Sequence, residues 1–239
     1  MTYDHSENTS IILEAINQNL TVSVPKIFTD LLNCTLTGWS LLPNTNSKQA
    51  DITVTHHNNQ FIFETILAKS VPSHTDLIDT LNELFLCIAY IVTNKIRGAK
   101  LLHCAAFKDN DENVIIFGRK KAGKSSLALK KVQSDAILFA DDLLLWIPRS
   151  AQFICLGLPI RMRRPIHNIN ENIPQFIAGK QTAYAHKNAF RVAEAGFTFT
   201  PDQILLIDCN EIIPMSLLKW PKLIAQYTIS DDFTEILEI

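Results

Sequence analysis

Glycine is scarce in this chain, and several features that would assign it to other protein classes are missing. Only 7 of the 239 residues are glycine. The five cysteines are widely spaced and include no C-x-x-C pair, so neither a zinc site nor a disulfide framework is indicated, and reduced thiols are expected. The longest apolar run, residues 84–92, is shorter than the roughly 20 residues that cross a bilayer, and it predicts a buried helix.

Charge of either sign is not in excess. The chain has 22 basic and 24 acidic residues and a formal net charge of −2, which gives no indication of a nucleic acid or a membrane surface as a partner. The first residues are polar and lack the basic and then apolar layout of a signal peptide, so we expect a cytoplasmic protein. With 47% hydrophobic residues, the chain can bury one core or a core with a small appended domain.

Two of the few glycines belong to one motif, G-x-x-x-x-G-K-S at residues 118–125. It follows an apolar run, 114–117, and precedes a helix-forming stretch, 125–132, which is the order of a phosphate-binding loop. In such a loop the backbone amides and the helix N-terminus face an anion, the lysine neutralises the β- and γ-phosphates, and the serine hydroxyl ligates Mg²⁺. The sequence therefore predicts binding of ATP with Mg²⁺. The predicted nucleotide-binding residues are Gly118, Lys120, Lys121, Ala122, Gly123, Lys124, Ser125 and Ser126.

An apolar stretch at residues 136–140 ends in Asp141 and Asp142, shortly after this loop. A carboxylate at a strand end is held rigidly beside the phosphates, where it can ligate Mg²⁺ or act as a general base. We therefore predict Asp141, Asp142 and Lys124 as catalytic residues, and Ser125 with Asp142 as metal ligands. An acidic turn between two strands is the alternative, because a second apolar stretch follows directly at residues 143–147.

A third element lies upstream of the loop. Residues 101–107 are predicted to form one strand, which pairs through a polar turn at 108–113 with the strand that precedes the loop. His103 lies in this upstream strand. A half-buried structural histidine and a catalytic one both fit the pattern.

These elements together resemble a known family. The order of L-H-C-A-A at 102–106, a short hairpin, G-x-x-x-x-G-K-S, a brief helix and A-D-D at 140–142 is similar to the kinase domain of the HPr kinase/phosphorylase superfamily. The resemblance is nearest to the smaller HPr-kinase-related proteins, including those that phosphorylate precursor peptides in lasso-peptide gene clusters. It covers residues 101–147 well and the flanking segments weakly.

The resemblance implies an α/β fold, with a P-loop kinase domain of the HPr-kinase/PEP-carboxykinase-like type and a smaller β-rich N-terminal region. It implies that Lys124 binds phosphate, that Ser125 binds Mg²⁺, and that one aspartate of the Asp141/Asp142 pair deprotonates the acceptor hydroxyl, without ordering the pair. It makes His103 an active-site residue, and a serine-bearing peptide or protein the partner.

The chain also departs from the family. The usual loop has a glycine where Lys121 stands, and the downstream glycine-rich signature with its metal-binding glutamate has no clear counterpart. HPr as the substrate and phosphorolysis of phosphoserine are therefore not implied.

We expect a β-rich region over residues 1–97, ending in a long helix from an N-cap at Thr75 to Lys95, and the kinase domain over 98–239. Residues 153–156 and 159–162 predict another strand, and residues 170–191 a helix with a mobile segment. If the chain is extended there, Arg161 and Arg163 face one way and Arg164 the other. Arg161 and Arg163 are candidates to contact the substrate or the transferred phosphoryl group, with solvated surface arginines as the alternative.

The favoured hypothesis is an ATP- and Mg²⁺-dependent kinase that phosphorylates a serine hydroxyl of a peptide or protein. A nucleotide-binding regulatory protein without phosphotransfer and a kinase for a small hydroxylated metabolite are the alternatives. A homo-oligomer is compatible with the sequence.

Overall fold

The computed structural model describes residues 8–46, 49–66, 71–163, 176–208 and 211–229, with only the backbone described at 71–74. Within these ranges the protein is a mixed α/β fold that is rich in strands. Its strands form four sheets, of six, five, four and three strands.

The six-stranded sheet is built from the N-terminal part of the chain. Its strand order is β3-β1-β2-β4-β5-β6, antiparallel except for the parallel pair of β2 and β4. Two helices pack against it. In chain order the elements are β1 (Asn8–Ala15), β2 (Gln18–Pro25), α1 (Lys26–Thr35), β3 (Ser40–Pro43), β4 (Ile52–His57), β5 (Gln60–Thr65), β6 (Val71–His74) and α2 (Leu77–Lys95).

The two helices differ in how well the sequence predicts them. The long helix α2 is confirmed, but its N-cap is Asp76 rather than Thr75, because the Asp76 carboxylate accepts the amides of Ile78 and Asp79 at 3.0 Å each. α1 was not predicted. It buries Phe28 and Leu32 on one face, together with Leu31 and Thr35.

The rest of the chain forms the other three sheets. Their strand orders are β10-β8-β9-β17-β18, β16-β12-β11-β7 and β13-β15-β14. A 3-10 turn, Leu217–Lys219, precedes the last helix within the described ranges. The elements are β7 (Lys100–His103), β8 (Ala105–Asp109), β9 (Glu112–Gly118), α3 (Lys124–Gln133), β10 (Ile137–Ala140), β11 (Leu143–Ile147), β12 (Gln152–Ile154), β13 (Arg161–Arg163), β14 (Phe176–Ala178), β15 (Thr182–Ala185), β16 (Thr198–Phe199), β17 (Gln203–Asp208), β18 (Glu211–Pro214) and α4 (Trp220–Gln226).

The chain crosses from one sheet to another at two neighbouring places, both between the four-stranded and the five-stranded sheet. The predicted single strand over 101–107 is wrong, because it breaks at Cys104: β7 belongs to the four-stranded sheet and only β8 pairs with β9. The second passage is at Asp141 and Asp142, between β10 and β11. The Cys104 amide donates to the Asp142 carbonyl at 3.1 Å, which joins the two crossings. His103 and the aspartate pair therefore meet at the junction of two sheets.

One hydrophobic core contains residues from both sides of the predicted domain boundary at residue 97. It contains α1, α2 and the N-terminal sheet together with residues from β7 and β11, including Leu101, Leu143 and Leu145. By length and composition α2 could cross a membrane, but most of its apolar window is buried inside the fold, as in a core helix. The division into domains at 97 and 98 stays a prediction.

The prediction of a helix within 170–191 is wrong for the part that the structure describes. There the chain forms β14 and β15, which are joined by a tight turn at Gly179 and pair antiparallel. β13 pairs with the other side of β15, which fixes the direction of Arg161. Arg164, and residues 170–175 of this predicted segment, lie outside the described residues.

Candidate functional site

The predicted loop joins strand β9 to helix α3. β9 ends at Gly118 and α3 begins at Lys124, as the motif predicts. The first amides of a helix have no acceptor within the helix, so the start of α3 presents donors and partial positive charge toward the loop. α3 is fixed in place because Ala128, Leu129 and Val132 are buried beneath it. The segment thus has the local shape that an anion site requires.

The structure explains why both motif positions, Gly118 and Gly123, are glycine. β17 runs parallel to β9, and a Cβ on Gly118 would lie 3.0 Å from the Ile207 carbonyl oxygen. Gly123 has φ 96°, a conformation that L residues rarely adopt, and open space around it. Lys121 also has a positive φ, 67°. This loop therefore holds one strained residue beside its glycines.

Lys124 is 5% exposed, although it belongs to a loop at the surface. Its Nζ donates to the Gly118 carbonyl at 2.9 Å and to the Arg119 carbonyl at 3.3 Å. Burial lowers the pKa of Lys124, while the nearby carboxylates of Asp142 and Asp141 oppose that change. The ammonium group therefore lies at the loop, in the field of the aspartate pair.

Asp141 is 3% exposed, and one of its oxygens has no hydrogen-bond partner. Oδ2 accepts the Arg161 amide at 2.9 Å. Oδ1 is buried without a partner among the described residues, although the Ser125 side chain lies near enough to favour the charged carboxylate. Burial, and then the charge of Asp142, raises the pKa of Asp141 to about 7. The structure thus brings Ser125 to Asp141.

Asp142 has a different environment. Its Oδ2 lies 2.6 Å from Arg161 Nη2, and its Oδ1 lies 3.6 Å from His103 Nε2. Burial acts to raise the pKa of Asp142, but His103 and Arg161 outweigh it and hold that pKa at about 2. The carboxylate is therefore charged over the whole physiological range. The sequence predicted Asp142 as the metal ligand beside Ser125. In the structure Asp141 lies near Ser125, whereas Asp142 faces His103 and Arg161.

The two predicted arginines have separate surroundings. Arg161 is largely buried, and its Nη1 donates to Asn82 Oδ1 on α2 while its Nη2 meets Asp142. Arg163 is exposed, and its charge lowers the pKa of Lys124, so it lies on the loop side of β13. The two arginines therefore occupy different positions. Arg161 lies inside the aspartate cluster, and Arg163 lies at the surface, where its charge acts on Lys124.

A half-enclosed pocket opens next to the aspartate pair on the side of α2. Its free space is about 30 Å³, enough for roughly two water molecules. Apolar side chains from α2, β11 and the segment before β13 line it together with polar side chains. It is lined by Asn82, Phe85, Leu86, His103, Asp141, Asp142, Leu143, Leu158, Pro159, Arg161 and Tyr184.

Two polar lining residues, Asn82 and Tyr184, were not predicted as site residues from the sequence. Asn82 and its neighbour Glu83 interrupt the long apolar face of α2, and a polar pair within such a face is a usable signal for a buried site. Tyr184, on β15, is 1% exposed, packs edge-on to Phe85 at 5.4 Å between ring centroids, and gives no such signal.

The residues present fit a magnesium nucleotide. Among the described residues no group of three or more His, Cys, Asp or Glu side chains could hold a metal ion by itself. Mg²⁺ in nucleotide sites takes one or two protein ligands and completes its shell with phosphate oxygens and water, so such a group is not required. The unpartnered Oδ1 of Asp141 near Ser125 is the kind of oxygen that this cation binds. No protein-family model and no curated protein matches the chain.

Proposed function

We propose that this protein is an ATP- and Mg²⁺-dependent kinase that transfers the γ-phosphoryl group to a serine hydroxyl of a peptide or protein. The observation that carries the proposal is the convergence of the loop and the aspartate pair: Ser125 lies near Asp141, and Lys124 lies in the field of both carboxylates. The resemblance of residues 101–147 to the HPr-kinase-like family agrees with it. A P-loop kinase domain of that type is part of the proposal.

The geometry favours distinct roles for the two aspartates. Asp141 and Ser125 would hold Mg²⁺, which neutralises charge on the phosphates when it is bound. Asp142, kept ionised by Arg161 and His103, lines the pocket and would orient the acceptor hydroxyl and take its proton. This order reverses the prediction that Asp142 shares the metal with Ser125.

The remaining groups would neutralise charge. Lys124 would turn from the carbonyls of Gly118 and Arg119 to the phosphates, since both carbonyls lie in the same loop. Arg163, beside Lys124, would contact the transferred phosphoryl group from the surface. The oxygen of the acceptor forms the new bond to the γ-phosphorus, the bond from that phosphorus to the bridging oxygen breaks, and ADP leaves.

The test is transfer of labelled phosphate from ATP to degenerate peptide pools in the presence of Mg²⁺, with a mass gain of one phosphoryl group as the second readout. Lys124→Ala and Asp142→Asn should each abolish transfer. Lys130→Ala is the matched control, because Lys130 is an exposed lysine of the same helix. Full transfer by Lys124→Ala would refute the mechanism.

A nucleotide-binding regulatory protein without transfer is the second candidate. The strained Lys121, at the family's glycine position, favours it, because a strained loop wraps less closely around phosphate. ATP and ADP affinities separate the two functions: a regulator binds nucleotide through the intact loop, and no acceptor of any kind increases its ATP consumption.

A further inference from the structure

We infer that an open cleft at the C-terminal end of α2 binds a segment of the acceptor peptide or protein in which a carboxylate lies next to an apolar side chain. The inference rests on the proposed function for the identity of the ligand as the acceptor, and it adds a second contact at a distance from the site of transfer. Its basis is the size and lining of the cleft, an arginine without a partner, and a strained turn in the wall.

The cleft is large enough for several residues of a peptide. Its free space is about 610 Å³, which is within the usual range of ligand sites. The turn between β1 and β2, the end of α2, β12 and the chain that leads into β16 surround it. Among the described residues, no aspartate or glutamate lines it. A ligand meets apolar side chains and amide donors, from Ile16, Ile96, Ile154, Asn17 and Gln18.

Two cations line the cleft, and only one of them is already balanced. Lys95 lies in the last turn of α2, where it offsets the partial negative charge of the helix end, and its Nζ lies 3.2 Å from Asp51 Oδ2 and 2.7 Å from the Asn19 carbonyl. Arg97 is exposed and has neither a hydrogen bond nor an ion pair within the described part of the chain. A guanidinium group binds a carboxylate through two parallel hydrogen bonds, so Arg97 is the group that an acidic ligand would meet.

The turn in the cleft wall is strained. Ile16 and Asn17 join β1 to β2 with φ 57° and 55°, a two-residue turn that favours Asn or Gly. A β-branched residue rarely adopts positive φ, yet Ile16 is held there against the core and beside Gly196, on which a Cβ would lie 3.7 Å from Ile16 Cα. Strained residues that the surrounding structure holds in place are concentrated at binding sites. Ile16 thus supplies a fixed apolar surface in the same cleft as Arg97.

The distance to the site of transfer sets the spacing on the ligand. Leu86 lines the pocket beside the aspartate pair, and Lys95 lines the cleft nine positions later on the same helix. At 1.5 Å per residue the two positions are about 14 Å apart along the axis. An extended peptide advances about 3.3 Å per residue, so at least about four residues must separate the acceptor hydroxyl from the carboxylate. Two contacts on one peptide then strengthen each other.

The first experiment measures binding to the full chain without ATP, by fluorescence anisotropy of labelled peptide pools with a central Glu-Leu-Glu or Lys-Leu-Lys. The acidic pool should bind at least about tenfold more tightly, and salt should weaken its binding. Arg97→Glu should reverse this preference. Arg149→Glu is the matched control, because it changes the net charge equally at an exposed arginine that does not line the cleft.

The second experiment measures phosphate transfer from ATP to serine peptides in which Glu-Leu-Glu lies either six residues or one residue from the serine. The wider spacing should lower KM about tenfold and leave kcat unchanged, because the cleft contact is the same in the ground state and the transition state. Arg97→Ala should remove the difference between the two peptides. Arg149→Ala should keep it.

The outcomes separate the inference from the proposed function. Binding of the acidic pool that Arg97→Glu abolishes, without transfer to any peptide, supports the cleft and refutes the kinase. Equal binding of the two pools, or equal KM values at the two spacings, overturns the inference and leaves the kinase in place. Residues 230–239, four of them acidic, lie outside the described residues. A chain that stops at residue 229 should bind the acidic pool as the full chain does, and about tenfold tighter binding would make that segment the occupant and overturn the inference.

Discussion

The burial of Asp141 predicts that this carboxylate destabilises the fold at neutral pH, so that Asp141→Asn should make the protein more stable while it removes activity. Asn keeps the oxygen that accepts the Arg161 amide and replaces the unpartnered Oδ1 with an uncharged group. The substitution is nearly isosteric, so the change in charge dominates the effect on stability.

The magnitude follows from the pKa of Asp141, which is raised from 3.8 to about 7 by burial and then by Asp142. Below pH 4 the carboxyl is protonated in both the folded and the unfolded chain. Between pH 4 and 7 only the unfolded chain loses the proton, so the free energy of unfolding falls by about 1.4 kcal/mol for each pH unit. The total loss is about 4 kcal/mol, and it is complete above pH 7.

The assay is urea denaturation at pH 5, 6, 7 and 8 with a chelator and without nucleotide. The difference in unfolding free energy, Asp141→Asn minus wild type, should grow by about 3 kcal/mol from pH 5 to pH 8. Asp135→Asn is the control, because the Asp135 side chain is 83% exposed and has a positive φ that Asn tolerates. Parallel curves for wild type and Asp141→Asn would refute the burial argument.

Three further predictions concern the supports of the site. Gly123→Ala and Gly98→Ala should each lower the free energy of unfolding by about 1 kcal/mol, since both glycines have positive φ and open space, but only Gly123→Ala should weaken ATP binding in calorimetry. Asp79→Ala should lower the free energy of unfolding, measured by urea denaturation, by about 2 kcal/mol, because it leaves the amide and hydroxyl of Thr182 without their acceptor. Arg161→Ala should raise the pKa of Asp142 from about 2, as read by carboxyl-carbon NMR, and an unchanged titration would contradict the ion pair.

The sequence predicts the loop because every residue of the motif is local. A strand, a turn and a helix start are fixed by neighbours within a few positions, and β9 and α3 begin and end close to the predicted limits. The same holds for α2, whose apolar pattern is long. α1 was available in the same way, since Phe28, Leu31, Leu32 and Thr35 follow helical spacing, and it was missed because the flanking strands dominated the pattern.

Elements that depend on distant partners were predicted less well. Residues 101–107 look like one strand because each half is apolar, and the break at Cys104 arises only because β7 and β8 have partners in different sheets. β14 and β15 are too short for a clear alternation, and they are stabilised by pairing with each other and, for β15, with β13. Propensity carries no information about such partners.

The aspartate pair shows the same limit at the level of chemistry. Asp141 and Asp142 are identical and adjacent, so the sequence cannot order them. Asp142 adopts φ 76° at the point where the chain changes sheets, and the two side chains have different neighbours. One carboxylate then enters a buried position near Ser125, and the other meets Arg161 and His103, which raises the pKa of the first and lowers that of the second. Two neighbouring carboxylates with opposite pKa changes are what an acid or base assignment requires. In this protein that division follows from the different partners of the two side chains at the junction of the sheets, because the charges of Arg161 and His103 act most directly on Asp142.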